Sequence, residues 1–166
     1  MKRIHLHLGV DDMDRSIAFY SNLFAAEPTV RKHDYAKWML EDPRINFAIT
    51  PTTHTAKGIE HIGIQAENMD ELNEIGERLK SAGRPVLAEE STTCCYAQSS
   101  KNWITDPDGV IWETFLTTGE NTDYGNKDQV QTGMARLAAL ETAQAESAQS
   151  GSCCTPAISA PAATCG

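Results

Sequence analysis

Apolar and polar residues alternate at the start of the chain: Ile4, Leu6, Leu8 and Val10 are apolar, and His5, His7 and Gly9 fall between them. A period of two marks a β-strand with one apolar face. The period then lengthens. Ile17, Phe19, Tyr20, Leu23 and Phe24 give the apolar stripe of a helix that Asp11 or Asp12 can cap and that runs to about Leu23. Pro28 stops its continuation. Short strands are predicted near Thr29 to Lys32, Tyr35 to Leu40 and Ile45 to Thr50, with Asp42-Pro43 as the turn between the last two.

The same order then returns. Ile59 to Ile64 reads as a strand. Met69 to Ala82 reads as a helix with Leu72, Ile75 and Leu79 inward and Gly83 at its C-terminal cap. Short strands follow near Val86 to Glu89, Thr93 to Gln98, Asn102 to Thr105 and Val110 to Leu116, with Asp106-Pro107-Asp108-Gly109 as a turn. The order β-α-β-β-β thus occurs twice. His5 and His61 hold matching places in the two first strands, and the helix starts Asp12-Met13-Asp14 and Asn68-Met69-Asp70 also match. Internal repetition outweighs any single motif. The predicted fold is α+β: two βαβββ modules, about residues 1–52 and 57–118, pairing into a curled half-barrel around a metal cleft. From Gly119 large apolar residues become scarce. Residues 119–166 are predicted to be a low-complexity, flexible C-terminal tail with a short helix over Met134 to Ala145 and disorder beyond Glu146.

Such a repeat brings equivalent strands face to face, so His5, His61 and Glu113 on the final strand become candidate metal ligands. A single histidine on a strand is more often a half-buried polar residue; it is the repeat that joins His5 to His61. Two imidazoles and a carboxylate make a facial set that leaves coordination positions open, as in non-haem Fe(II) oxygenases, and also suits Mn, Ni, Co or Zn. His7 shares a strand face with His5. The repeat aligns His61 with His5, which leaves His7 as a substrate contact or a partner of the ligands. His33 and His54 fall in loop-like stretches and are expected to be solvated.

Composition narrows the function. The net charge of −9 repels phosphate backbones, so no nucleic-acid partner is expected. No run approaches the roughly 20 apolar residues of a membrane span. With no apolar leader before the first strand, the expected location is cytoplasmic. The five cysteines are Cys94, Cys95, Cys153, Cys154 and Cys165. An odd count without a secretion signal argues against a disulfide framework, whereas adjacent thiols suit a soft, thiophilic atom. Successive strand residues point to opposite faces, so joint action of Cys94 and Cys95 requires irregular backbone there. Tyr96 and Lys101 follow closely. Lys101 is a candidate to depress a thiol pKa or contact substrate, a surface lysine being the ordinary alternative. Trp38, Trp103 and Trp112 read as core or cleft wall, and the tail cysteines as a means to capture or deliver a metal or other thiophilic atom.

Several stretches resemble a known superfamily. His5 to Val10 followed by Asp14-Arg15-Ser16-Ile17-Ala18-Phe19-Tyr20, His61-Ile62-Gly63, and Asp106-Pro107-Asp108-Gly109 with Trp112-Glu113 resemble the signatures of vicinal-oxygen-chelate proteins. These include glyoxalase I, extradiol dioxygenases and bleomycin-resistance proteins. Lys32-His33-Asp34-Tyr35-Ala36-Lys37-Trp38, Asp42-Pro43, Thr92-Thr93-Cys94-Cys95-Tyr96-Ala97 and Lys101-Asn102-Trp103-Ile104-Thr105 resemble its ArsI/CadI branch of organoarsenical C–As lyases and cadmium-induced proteins. The resemblance spans about residues 1–118. It implies metal ligands at His5, His61 and Glu113, an Fe(II) cofactor with O2 as co-substrate, and a trivalent organoarsenical substrate. That substrate would be held by Cys94 and Cys95, with Tyr96, Lys101 and His7 as further contacts. It also implies a homodimer. The alternatives are a protein that sequesters cadmium or arsenic without turnover, and another glyoxalase-like enzyme using a different divalent metal.

Overall fold

A computed structural model of the chain describes residues 1–125 and 129–150. Its elements are β1 (Arg3–Val10), α1 (Met13–Phe24), β2 (Val30–Arg31), β3 (Ala36–Glu41), β4 (Arg44–Pro51), β5 (Gly58–Ala66), α2 (Met69–Ser81), β6 (Leu87–Cys94), β7 (Ala97–Thr105), β8 (Ile111–Glu120) and α3 (Gln129–Ser150). The first ten form βαβββ twice. All eight strands make one curled sheet in the order β2-β3-β4-β1-β5-β8-β7-β6. Each module supplies four neighbouring strands, with a parallel pair at its inner edge, β1 with β4 and β5 with β8. The modules join where β1 meets β5 antiparallel. The fold is the half-barrel that the repeat predicts.

Alternation on β1 sorts its residues between two environments. Leu6, Leu8 and Val10 pack on the core formed by Ile17, Ala36, Trp38, Phe47 and Ile49, while His5 and His7 are buried on the opposite, concave face. Helix α1 begins where the Asp12 carboxylate accepts the Arg15 amide at 2.9 Å and ends at Ala25, whose φ of 50° is left-handed. It buries Ile17 and packs Tyr20 and Phe24 on the same core; burying such a side chain contributes roughly 1.5–3 kcal/mol. Phe19 and Leu23, expected inside, are 60% and 62% exposed. At 100° per residue they lie on the far side of the helix from Ile17. Helix α2 mirrors this design: Asn68 accepts the Glu71 amide, and Leu72 and Ile75 are buried.

Two expectations change in the second module. Thr93 to Gln98 is not a strand. β6 ends at Cys94, β7 begins at Ala97 opposite it, and Cys95 and Tyr96 form the turn with φ of 54° and 62°. Asn102 to Thr105 is the end of β7 rather than a separate strand. Two left-handed residues between paired strands is the turn normally written Asn-Gly. Without glycine it carries no such signal, yet it supplies the irregular backbone expected at the thiols.

Helix α3 is longer than the Met134–Ala145 segment expected, and it is docked. Leu137 is fully buried against Leu87 and Trp103, with Met134 beside them. Arg84 and Glu141 form an ion pair at 2.5 Å. Residues 151–166, with Cys153, Cys154 and Cys165, lie outside the described residues. Because the Leu137 side chain fills a closed site, Leu137→Ala is expected to lower the unfolding free energy by about 2–5 kcal/mol. Urea denaturation of the full chain measures this, and a change below about 0.5 kcal/mol, as at a surface position, would show that α3 does not dock.

Candidate metal centre and thiol pair

The concave face brings together residues far apart in sequence. β1 presents His5, β5 presents His61, and β8 presents Glu113. His5 Nε2 lies 3.2 Å from His61 Nε2. Glu113 Oε2 lies 3.4 Å from His61 Nε2 and 3.8 Å from His5 Nε2. The circumradius of a triangle with those edges is about 2.0 Å, within the range of metal bonds to nitrogen and oxygen, roughly 2.0–2.2 Å. The donor set therefore fits a single cation.

Backbone geometry makes the approach possible. Gly63 pairs with His5 on one side and Glu113 on the other. A Cβ there would sit 2.1 Å from the Glu113 carbonyl oxygen, so only glycine fits between the two ligand-bearing strands.

The surrounding groups set proton positions. The His5 Nδ1–H donates to the Asn46 carbonyl at 3.0 Å, which leaves Nε2 with a free lone pair. Burial, then the positive charge of His61, lowers the His5 pKa to about 4, so this ring is neutral at physiological pH. Burial also disfavours charge on His61, but Glu113 and Glu60 outweigh it and raise that pKa to about 9. The proton on His61 marks a negative field that a divalent cation would meet. Burial alone would raise the Glu113 pKa; the Lys101 ammonium, 2.7 Å from Oε1, and the imidazoles hold it well below the usual carboxylate range. Lys101 is buried rather than a surface lysine.

His7 also belongs to the cluster. One nitrogen from each of His5, His7 and His61 lies within 4.8 Å of the others, so an all-imidazole set can hold a metal ion as well. The hydrogen bonding distinguishes the two sets. His7 Nε2 is engaged by Thr50 Oγ1 at 3.1 Å and its Nδ1 faces Glu60 Oε2 at 3.4 Å. His5 and His61, in contrast, both turn Nε2 toward Glu113.

The thiols share the cleft. Cys94 and Cys95 hold their sulfurs 3.2 Å apart, and both line the same cavity as His5, His61, Lys101 and Glu113. Its volume of about 60 Å³ is room for about two water molecules at their share of liquid volume, roughly 30 Å³ each. The S–H···S contact with Cys95 lowers the Cys94 pKa, against burial and with help from Lys101. The same contact, together with burial, pushes the Cys95 thiol up. Tyr96 is less directly placed. It stands in the turn with its hydroxyl donating to Asp34 Oδ1 at 2.5 Å and is not among the cavity-lining residues.

Tyr35, His54, Tyr124 and Glu60 are among the cavity residues that escape sequence reasoning. Tyr35 lies in the predicted strand and reads as core. His54 is not solvated as expected: its side chain is 8% exposed, and its ring meets Tyr124 at a centroid distance of 4.9 Å. Tyr124 falls in the segment read as tail, and its hydroxyl interacts with Cys95. Glu60 precedes His61, and strict alternation would turn it away from the cleft.

A duplicated βαβββ half-barrel whose concave face gathers imidazoles and a carboxylate from three strands defines the class: a vicinal-oxygen-chelate fold whose cleft could hold a metal ion. The chain belongs to the Glyoxalase/Bleomycin resistance protein/Dioxygenase superfamily, which matches residues 2–114. It is 44% identical over 119 residues to the trivalent organoarsenical cleaving enzyme of Bacillus sp. (strain MD1), covering 70% of this chain and 74% of that one. It is 34% identical over 126 residues to the cadmium-induced protein CadI of Mycobacterium bovis, covering 76% of this chain and 83% of that one. These relatives place it in the branch that its cysteine motif resembles. Among solved structures, an extradiol ring-cleaving dioxygenase from B. fuscum shares the fold with a TM-score of 0.52 at 12% identity, covering 77% of this chain and 36% of that one. Among the described residues, no helix is long and apolar enough to cross a membrane.

Single substitutions separate the two ligand sets. His61→Ala and Glu113→Ala are expected to abolish stoichiometric binding of a divalent metal, whereas His7→Asn retains one equivalent. Metal content after anaerobic loading and desalting measures this; loss of metal in His7→Asn with retention in Glu113→Ala would select the three imidazoles instead.

Proposed function

We propose that the protein cleaves the carbon–arsenic bond of trivalent organoarsenicals, methylarsenite being the simplest, with Fe(II) as cofactor and O2 as co-substrate. The observation that carries this reading is the thiol pair and the His5, His61 and Glu113 cluster lining one small cavity. The names of the more similar relatives support it.

The chain's own groups account for binding. Trivalent arsenic carries two exchangeable hydroxyls and one carbon substituent. The Cys94 thiolate, the reactive form, displaces one hydroxyl, which leaves as hydroxide and is protonated by solvent. The Cys95 sulfur displaces the second, its proton leaving with the hydroxide as water. The product is a dithio-arsenical anchored at the β6–β7 turn with its carbon directed into the cavity. Fixing a reactant in this way can supply several kcal/mol of the barrier. Lys101 balances the charge of Glu113 and of the Cys94 thiolate at once. The bound Fe(II), held by His5, His61 and Glu113, would supply activation of O2 at its open positions. For the methyl compound, CH3As(OH)2 and O2 balance as As(OH)3 and CH2O, so one O2 accounts for one cleaved bond.

The cadmium-induced relatives favour a second reading, sequestration of a thiophilic ion by the same dithiol. One experiment separates the two. The reduced, Fe(II)-loaded protein is incubated with methylarsenite in air and arsenite is measured by chromatography with elemental detection. Catalytic release of arsenite, abolished by Cys94→Ala or Cys95→Ala while iron remains bound, is expected. Stoichiometric uptake without release would establish sequestration, and full activity in either cysteine variant would remove the dithiol from the mechanism.

A further inference from the structure

The β1–β5 register carries an irregularity beside the cluster. His7 pairs with His61 and Leu8 with Ile59, which leaves Glu60 as an extra residue on β5. Such a bulge re-aims a side chain. Here it turns Glu60 onto the concave face next to His61 instead of away from it. The half-buried carboxylate is engaged at both oxygens: Oε1 accepts the Thr55 hydroxyl, and Oε2 lies 3.4 Å from His7 Nδ1 and 3.3 Å from His61 Nδ1. The His61 contact is an ion-pair approach without hydrogen-bond alignment. One oxygen atom thus spans two rings whose roles differ.

We infer that Glu60 is a positioning residue for the metal centre: its bulged carboxylate aims His61 Nε2 at the cation and keeps His7 out of the coordination shell. The inference rests on the metal-centre reading above. The logic is the one by which Asn46 serves His5. Each ligand ring faces an oxygen at Nδ1, through a hydrogen bond to the Asn46 carbonyl for His5 and a charged approach to Glu60 for His61, and this side of each ring is thereby turned away from Nε2, which is left for the metal. His7 is placed the other way. Its Nδ1 shares the Glu60 oxygen and its Nε2 is taken by Thr50, so neither nitrogen is free. Removing the carboxylate frees both rings together. His61 loses its aim, and His7 gains the freedom to enter the shell.

The test uses the metal-free full chain and Co(II), whose d–d absorption reports the ligand shell. Wild type, Glu60→Gln, Glu60→Ala and Glu60→Ala/His7→Asn are titrated in parallel. Glu60→Ala is expected to weaken Co(II) binding about 10–100-fold and to shift the spectrum as His7 enters. Adding His7→Asn should return the spectrum toward wild type without restoring affinity. Glutamine can still offer its oxygen to both rings and its amide to Thr55, so Glu60→Gln is expected to lose less affinity and to keep the wild-type spectrum. It decides the matter if the alanine variants do not fold. A purely structural role would lower the melting temperature of the metal-free variants and leave affinity and spectrum of the folded protein unchanged. Affinity within twofold of wild type and an unaltered spectrum in every variant that folds would overturn the inference. If wild type itself takes up no Co(II), the metal-centre reading fails and the inference falls with it.

Discussion

The cleft depends on a buried carboxylate. An isolated charge in a protein interior is costly unless paired and hydrogen-bonded, and Glu113 is compensated from two sides. Lys101 meets one oxygen, and the imidazoles of His5 and His61 face the other. The three elements that supply these partners come from both modules, so the charge balance and the β1–β5 junction are one structural fact. A divalent cation would meet the same negative field that raises the His61 pKa.

One side of the cleft is sheet, and the other is a turn. His5, His61, Glu113 and Lys101 sit on paired strands whose register fixes their separations. Cys94 and Cys95 sit where β6 turns into β7 through two left-handed residues. Non-glycine residues in that conformation carry strain and persist where the surroundings hold them, often at functional sites. The turn is held by Asn121, whose amide donates to the Tyr96 carbonyl, and by a bridge between Cys94 and Gly125. The chain beyond β8 therefore helps to present the thiols, and α3 backs Trp103, whose ring meets His61 at a centroid distance of 5.3 Å.

Much of this was legible in the sequence because it was periodic. The His5–His61 correspondence, the two βαβββ halves and the two capped helices all follow from repeats of two, of 3.6 and of the module. Glu60 was not legible. The bulge that re-aims it is a property of pairing between β1 and β5, and no local pattern announces it. Tyr124 was hidden for a different reason. A segment poor in large apolar residues looks like tail, yet Leu137, Met134 and Tyr124 suffice to dock it. The four strands expected after α2 became three, because a turn without glycine reads as continuous strand.

The central claim is that a cation is held by nitrogen and oxygen donors while the neighbouring sulfurs remain free for the arsenical. X-ray absorption at the iron edge of the reduced, Fe(II)-loaded protein tests it most directly. The account predicts a first shell of nitrogen and oxygen with the multiple-scattering signature of two imidazoles and no sulfur. A sulfur shell on iron would place the metal at Cys94 and Cys95 and contradict the separation of cofactor and substrate on which the mechanism rests.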